Sequence, residues 1–140
     1  MSAAENTSSL SPRAAPTILV IEDDPGLLDV LSQFFTRAGY LPLLATSGVA
    51  GLALLEQEGA DLIVLDLHLP DMDGWTITSR IHDRPTASPP ILILTGSNRE
   101  DGAATSLQLG ADAYLTTPFV VDELLARVEV LLGGTRSTPE

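Results

Sequence analysis

The chain has no cysteine. That excludes a disulfide framework and any thiolate-held metal. It has no lysine either: all seven basic residues are arginines, at positions 13, 37, 80, 84, 99, 127 and 136. Nineteen acidic residues set against them give a net charge of −12. A surplus of that sign opposes direct nucleic-acid binding, which needs a basic footprint, and it opposes docking on an anionic membrane surface. No apolar run approaches the roughly 18 residues of a spanning helix. The N-terminus lacks the basic start and apolar core of a signal peptide. The expected location is therefore the cytoplasm. The two histidines, His68 and His82, are too few for a zinc site and read as loop or surface residues.

What is present is one domain's worth of sequence, 140 residues, enough for a core. Residues 1–16, rich in Ser, Ala, Asn and Thr with Pro12 and Pro16, read as a disordered tail. Residues 133–140 read as a second tail or linker. Between them, over 17–132, short apolar runs alternate with helical patterns.

Thr17–Ile21 reads as the first strand, followed by the acids Glu22, Asp23 and Asp24. Asp24 suits an N-cap and Pro25 a first helical turn. Leu27, Leu28, Leu31, Phe34, Phe35 and Ala38 form that helix's apolar face, and Gly39 closes it. Tyr40–Ala45 is a second strand, with Pro42 marking a sheet edge. Thr46 or Ser47 caps a helix to about Glu58, with Ala50, Ala53, Leu54 and Leu55 inward and Gly59 at its end. Ala60–Leu65 is the central strand. Gly74–His82 is a third helix, in which Trp75 covers the contact with the sheet beside Ile77 and Ile81. Arg84–Pro90, with three prolines, is a loop. Ile91–Leu94 is a strand that runs into Thr95, Gly96 and Ser97. Asn98 caps a helix over 99–109, which Gly110 ends. Ala113–Leu115 is a fifth strand. Val120–Leu132 is the last helix, with Leu124, Leu125, Val128 and Leu131 on its core face.

Short, wholly apolar strands joined by helical crossovers imply a parallel sheet covered on both faces. The right-handed crossover rule leaves a doubly wound α/β sandwich, for which the strand order 2-1-3-4-5 is one common solution. In that topology the ends of the first and third strands are neighbours at the switch point. Glu22, Asp23 and Asp66 then converge. Crowded carboxylates repel unless a proton or cation intervenes. A hard divalent cation such as Mg²⁺ takes oxygen ligands of this kind. Thr95 brings a hydroxyl to the same rim, and Gly96 allows close backbone approach. A carboxylate nucleophile, acids able to hold a metal and a hydroxyl donor together fit phosphoryl transfer.

Several runs carry a family resemblance. They are Ile18-Leu19-Val20-Ile21-Glu22-Asp23-Asp24-Pro25, then residues 61–74 from Asp61 through Asp66, His68, Pro70, Asp71 and Asp73 to Gly74. Ile91–Thr95, Gly110-Ala111-Asp112-Ala113-Tyr114 and Pro118-Phe119 complete the set. In this order the chain resembles the receiver domain of bacterial two-component response regulators from about Thr17 to Leu132. The resemblance implies the flavodoxin-like fold: a five-stranded parallel sheet, order 2-1-3-4-5, with helices on both faces. It implies that Asp66 accepts a phosphoryl group from a sensor histidine kinase or phosphotransfer protein. Glu22 and Asp23 would hold Mg²⁺ with Asp66, and the backbone carbonyl of His68 would be a further ligand. Thr95 would be the switch hydroxyl and Tyr114 the switch aromatic. Pro118 would follow a cis peptide bond. The helix over 99–109, the fifth strand and the last helix would signal to a downstream effector protein. Such a domain takes part in its own phosphorylation and dephosphorylation without being a turnover enzyme.

Two departures matter. The family lysine immediately before Pro118 is Thr117 here, and no other lysine exists to replace it. Arg99, like Gly96, is a candidate for contact with the phosphoryl group. Val120 stands where the last helix would ordinarily have a polar cap, so Val120 and Val121 are candidates for a contact surface. The charged residues Asp112, Glu123 and Arg127 read as a solvated face. The alternative function is a pseudo-receiver, with the same fold binding partners independently of phosphorylation. Asp71-Met72-Asp73-Gly74 superficially resembles the nucleophile motif of haloacid-dehalogenase phosphatases, but it does not directly follow a buried strand.

Overall fold

The computed structural model describes residues 15–96 and 110–133. Five parallel strands form one sheet in the order β2-β1-β3-β4-β5. They are β1 (Thr17–Ile21), β2 (Leu41–Ala45), β3 (Leu62–Asp66), β4 (Ile91–Gly96) and β5 (Ala113–Thr117). The described helices are α1 (Pro25–Arg37), α2 (Gly48–Glu58), α3 (Gly74–His82) and α4 (Val121–Leu131). The helix expected over 99–109, with its cap Asn98, lies outside the described residues, as do most of the two expected tails. Among the described residues no helix is long and apolar enough to cross a membrane.

Strand alternation sorts the core into two halves. Leu19, Ile21, Ile63, Leu65, Ile91 and Ile93 point to one face, where Leu55 of α2 and Ile77 and Ile81 of α3 join them. Ile18, Val20, Leu62, Val64, Leu92 and Leu94 point to the other, against Leu31 and Phe35 of α1 and Leu124 and Val128 of α4. This is why the strands read as unbroken apolar runs: both faces are covered.

The amino ends of the strands are closed by two junctions of the same sequence. Gly59-Ala60-Asp61 precedes β3 and Gly110-Ala111-Asp112 precedes β5. Both glycines have positive φ, 73° and 84°. The Asp61 amide donates to the Thr17 carbonyl at 2.8 Å, and its carboxylate accepts from the Thr17 amide at 2.7 Å. Asp112 repeats the pattern on Ile91, at 3.0 and 2.9 Å. Each aspartate thus pairs the first residue of the neighbouring strand. Because Asp61 serves as this clamp, β3 starts at Leu62 and not at Ala60.

Pro42 sits on the edge strand, as expected. The Leu41 amide donates to the Pro16 carbonyl, and the Ala45 carbonyl accepts from the Glu22 amide. By alternation, Pro42 turns its missing N–H away from β1, where no ladder bond is lost. Asp24 caps α1, accepting from the Gly26 amide at 3.1 Å. Val120 occupies the N-cap of α4 without a side-chain hydrogen bond and is 64% exposed.

Some expectations need correction. Ala53 is exposed, and the residues α2 buries are Gly48, Gly51 and Leu55. The reason is close approach: a Cβ on Gly51 would lie 2.5 Å from Ile21 Cδ1 and 2.8 Å from its Cγ1. Trp75 does not cover the sheet contact; it is 53% exposed, and Ile77 and Ile81 make that contact. Ala38 lies beyond the end of α1 and is exposed. Tyr40 precedes β2 and sets its ring edge-on to Phe35. β4 and β5 each run two residues further than the apolar pattern indicated, because they continue to pair through Thr95↔Thr116 and Gly96↔Thr117.

Gly51→Ala gains helix propensity of about 1 kcal/mol but forces a methyl group into the fully packed Ile21. Urea unfolding is expected to show a net loss of about 1–2 kcal/mol. Adding Ile21→Val, which removes the nearest carbon, should recover part of it in a double-mutant cycle.

Candidate functional site

The carboxyl ends of β1 and β3 are level. Ile21 pairs with Leu65, so the next residues, Glu22 and Asp66, stand side by side. The carboxylates of Glu22, Asp23 and Asp66 each offer an oxygen within 4.8 Å of the others. Glu22 is only 5% exposed, Asp66 is half-buried and Asp23 is exposed.

Local hydrogen bonds fix this arrangement. Glu22 Oε2 accepts from the Asp24 amide at 3.0 Å. The same bond turns the acidic run into the start of α1. Asp66 Oδ1 accepts from the His68 amide at 3.0 Å, folding the chain back over the end of β3. These bonds position the carboxylates without neutralising them. Among the described residues the ion pairs are Arg84–Glu56 and Arg127–Glu123, and neither reaches the cluster.

The electrostatic consequence is visible in the acids themselves. Burial pushes the Glu22 carboxyl up to about 7. The Asp24 amide offsets part of this, while the Asp66 and Asp23 charges add to it. Burial also raises Asp66; the His68 amide opposes that shift and Asp23 reinforces it. The site is a set of hard oxygen donors short of positive charge. That donor set fits a divalent cation of the Mg²⁺ type, held by Glu22, Asp23 and Asp66.

A cleft of about 160 Å³ opens beside the acids, lined by Glu22, Leu27, Asp66, Leu94, Gly96 and Thr117. Gly96 and Thr117 therefore reach the cleft beside the acids. Thr95 shares this end of the sheet through its backbone, opposite Thr116; its side chain and Arg99 lie outside the described residues. Tyr114 is half-buried and lines a second, larger cavity of about 320 Å³ with Pro118, Glu123 and Arg127. Its carbonyl accepts from Arg127 Nη1 at 2.7 Å. The Thr117–Pro118 peptide is cis.

The sequence reading missed four contributors. Leu27 and Leu94 wall the cleft, although helical and strand patterns mark them only as core. Asp73 caps α3, accepting from the Thr76 amide at 2.8 Å; an aspartate just before the first helical residue is the signal that identifies it. Asp71 accepts from the amides of Gly48 and Val49, 23 and 22 residues away. No local pattern announces a partner at that distance.

The Glu22 shift makes a stability prediction for the metal-free protein. Its folded value, about 7, lies above the ordinary 4.5, so the folded state binds more protons between those limits. The penalty for its charge is full above pH ~7 and disappears as pH falls below ~4.5. Wild type should therefore gain roughly 1–3 kcal/mol relative to Glu22→Gln as pH is lowered across that window. Denaturant titrations of both proteins in EDTA at several pH values measure it.

Comparison with known proteins places this geometry. The sequence profile of the response regulator receiver domain matches residues 18–129. The DNA-binding dual master transcriptional regulator RpaA of Synechocystis is 44% identical over 126 residues, covering 89% of this chain and 52% of that protein. The chain spans about half the length of the curated relatives it matches. RpaA binds DNA, so the acidity of these residues does not carry the expectation of no nucleic-acid contact over to a regulator of that length. Among solved structures, a chain from Chloroflexus aurantiacus assigned as a response regulator superposes with a TM-score of 0.81 at 32% identity, covering 85% of this chain and 98% of that one. The receiver domain of the sensor histidine kinase PA1611 from Pseudomonas aeruginosa superposes with a TM-score of 0.78 at 29% identity, covering 86% of this chain and 99% of that one. That protein holds a magnesium ion in its active-site cleft. By sequence and by fold, this chain belongs to the response regulator receiver domains of two-component systems.

Proposed function

We propose that residues 17–132 act as a phosphorylatable receiver in the cytoplasm, with Asp66 as the phosphoacceptor. A carboxylate oxygen of Asp66 attacks the phosphorus of a phosphohistidine on a sensor kinase or phosphotransfer protein. The P–N bond breaks, an acyl phosphate forms on Asp66, and the histidine nitrogen keeps the electron pair and takes up a proton. Glu22, Asp23 and the His68 backbone carbonyl would hold Mg²⁺ together with Asp66. When bound, the cation supplies charge that lets a phosphoryl group approach three carboxylates. Gly96 lines the cleft and offers an N–H to the incoming oxygens. Thr95 and Tyr114 would carry the change toward β5, α4 and the 99–109 segment, where a downstream effector protein reads it. Arg99 would add a contact to the phosphoryl group.

The observation that carries this reading is the convergence of Glu22, Asp23 and Asp66 at the mouth of one cleft. The magnesium in the active-site cleft of the PA1611 receiver supports the choice of cation. Thr117 favours a second reading, a pseudo-receiver that binds partners without phosphorylation. A threonine hydroxyl in the cleft supplies a hydrogen bond but no charge.

Incubation with acetyl phosphate and Mg²⁺ separates the two. Mass spectrometry should find a labile phosphoryl adduct in wild type and none in Asp66→Asn or in EDTA. Beryllofluoride with Mg²⁺ should change Trp75 fluorescence. Thr117→Lys should speed adduct formation by roughly tenfold or more, as a charged donor aimed at phosphoryl oxygens does. No adduct and no Mg²⁺-dependent fluorescence change would leave the pseudo-receiver.

A further inference from the structure

The segment 67–73 follows Asp66 and includes His68. Its anchors within its own neighbourhood are plain. Leu67 and Leu69 are each 8% exposed in the core beneath it. The His68 amide binds Asp66, and His68 and Asp73 form an isolated antiparallel bridge. Asp73 caps the helix that follows.

The segment is tied to α2 by Asp71 and Met72. Asp71 Oδ1 accepts from the Gly48 amide at 2.8 Å, and its Oδ2 accepts from the Val49 amide at 2.9 Å. Met72 lies directly on Gly48, where an added Cβ would come within 2.8 Å of the Met72 Cβ. Gly48 is thus glycine because the Met72 and Asp71 side chains close over it.

The first turn of α2 shows what Asp71 contributes. A helix begins with four amides that lack partners within it. Here the Gly51 amide makes the first intrahelical bond, to the Ser47 carbonyl, and the Ala50 amide before it goes to Ser47 Oγ. The two amides ahead of these in the first turn, Gly48 and Val49, go to Asp71. The helix has no acidic residue in its own first turn. Asp71 supplies that negative charge from another part of the chain, where the helix dipole favours it. Two charge-assisted bonds from consecutive amides hold the carboxylate in both translation and rotation.

We propose that Asp71 is a positioning residue for the cation pocket: its grip on the Gly48 and Val49 amides fixes the 67–73 segment, and through it the backbone at His68. This rests on the reading of Glu22, Asp23, Asp66 and the His68 carbonyl as the Mg²⁺ ligands. A donor carried on a loop binds well only if the loop is already in place, because ordering it on binding costs affinity. Asp71 touches neither the cation nor the phosphoryl group in this scheme. It acts through the loop.

The test compares Asp71→Ala with Ser47→Ala. Both remove caps from the same helix terminus, but only the first releases the loop. Calorimetric Mg²⁺ titration of Asp71→Ala should show affinity weakened about tenfold, as for other residues that orient metal ligands. Hydrogen exchange at the His68 amide in metal-free protein should quicken by a similar factor. Ser47→Ala should bind Mg²⁺ as wild type does and leave that amide protected. Asp71→Asn, which keeps the shape and one acceptor oxygen, should fall between wild type and Asp71→Ala and serves if the alanine variant does not fold. Equal effects in the two alanine variants would reduce Asp71 to a helix cap and overturn the proposal. Unchanged Mg²⁺ affinity in Asp71→Ala would overturn it while leaving the cation site intact. Failure of wild type itself to bind Mg²⁺ would remove the cation reading and this inference together.

Discussion

Three carboxylates at one edge of an apolar sheet repel one another, and folding brings them together nonetheless. The cost is visible in Glu22, whose carboxyl is pushed up to about 7 chiefly by burial. The sheet imposes it: β1 and β3 are fixed in register by two-sided apolar packing, so the residues just past their ends must be neighbours. The apolar core bears the cost of the acid cluster, as cores do for strained functional sites. Asp24 and His68 amides ease the charge but do not cancel it. What results is a pocket whose resting electrostatics are unfavourable and which a hard cation would relieve.

The two ends of the sheet therefore use the same residue type for opposite purposes. At the amino ends, Asp61 and Asp112 are fully engaged in closing ladders on Thr17 and Ile91. At the carboxyl ends, Asp23 and Asp66 are crowded against Glu22. An aspartate next to a strand is a clamp or a member of the acid cluster according to which strand end it stands at. In an open parallel sheet, ligands collect at the carboxyl ends, where strand order reverses. The clamps keep the strands in register and so keep the acidic end level.

Family membership and the proposed chemistry rest on different ground. The profile match over 18–129 and the fold establish a receiver domain. The proposal that it is phosphorylated rests on the acid geometry, and Thr117 in the cleft is the feature that sets this chain apart from the lysine-bearing pattern. The curated relatives are about twice the matched length, and RpaA among them binds DNA. Val120 stands exposed and without a side-chain cap bond at the start of α4, and Arg127 of the same helix donates to the Tyr114 carbonyl of β5.

The sequence alone determined the alternation of strands and helices, the two-faced sheet, and the acids at its rim. These are local matters of period and capping, and the limits of Gly74–His82 could be read from them directly. The convergence of Glu22, Asp23 and Asp66 followed once the strand order was inferred. Tertiary structure alone decided which face of α2 is buried, because Gly51 is selected by Ile21 across a gap too narrow for a methyl group. It decided that Trp75 faces solvent, since hydrophobicity names a preference and only packing assigns a place. It also joined Asp71 to the amides of Gly48 and Val49. A hydrogen bond between residues more than 20 positions apart leaves no trace in local periodicity; it exists only because the α2 crossover from β2 to β3 brings the start of α2 beside the loop after Asp66.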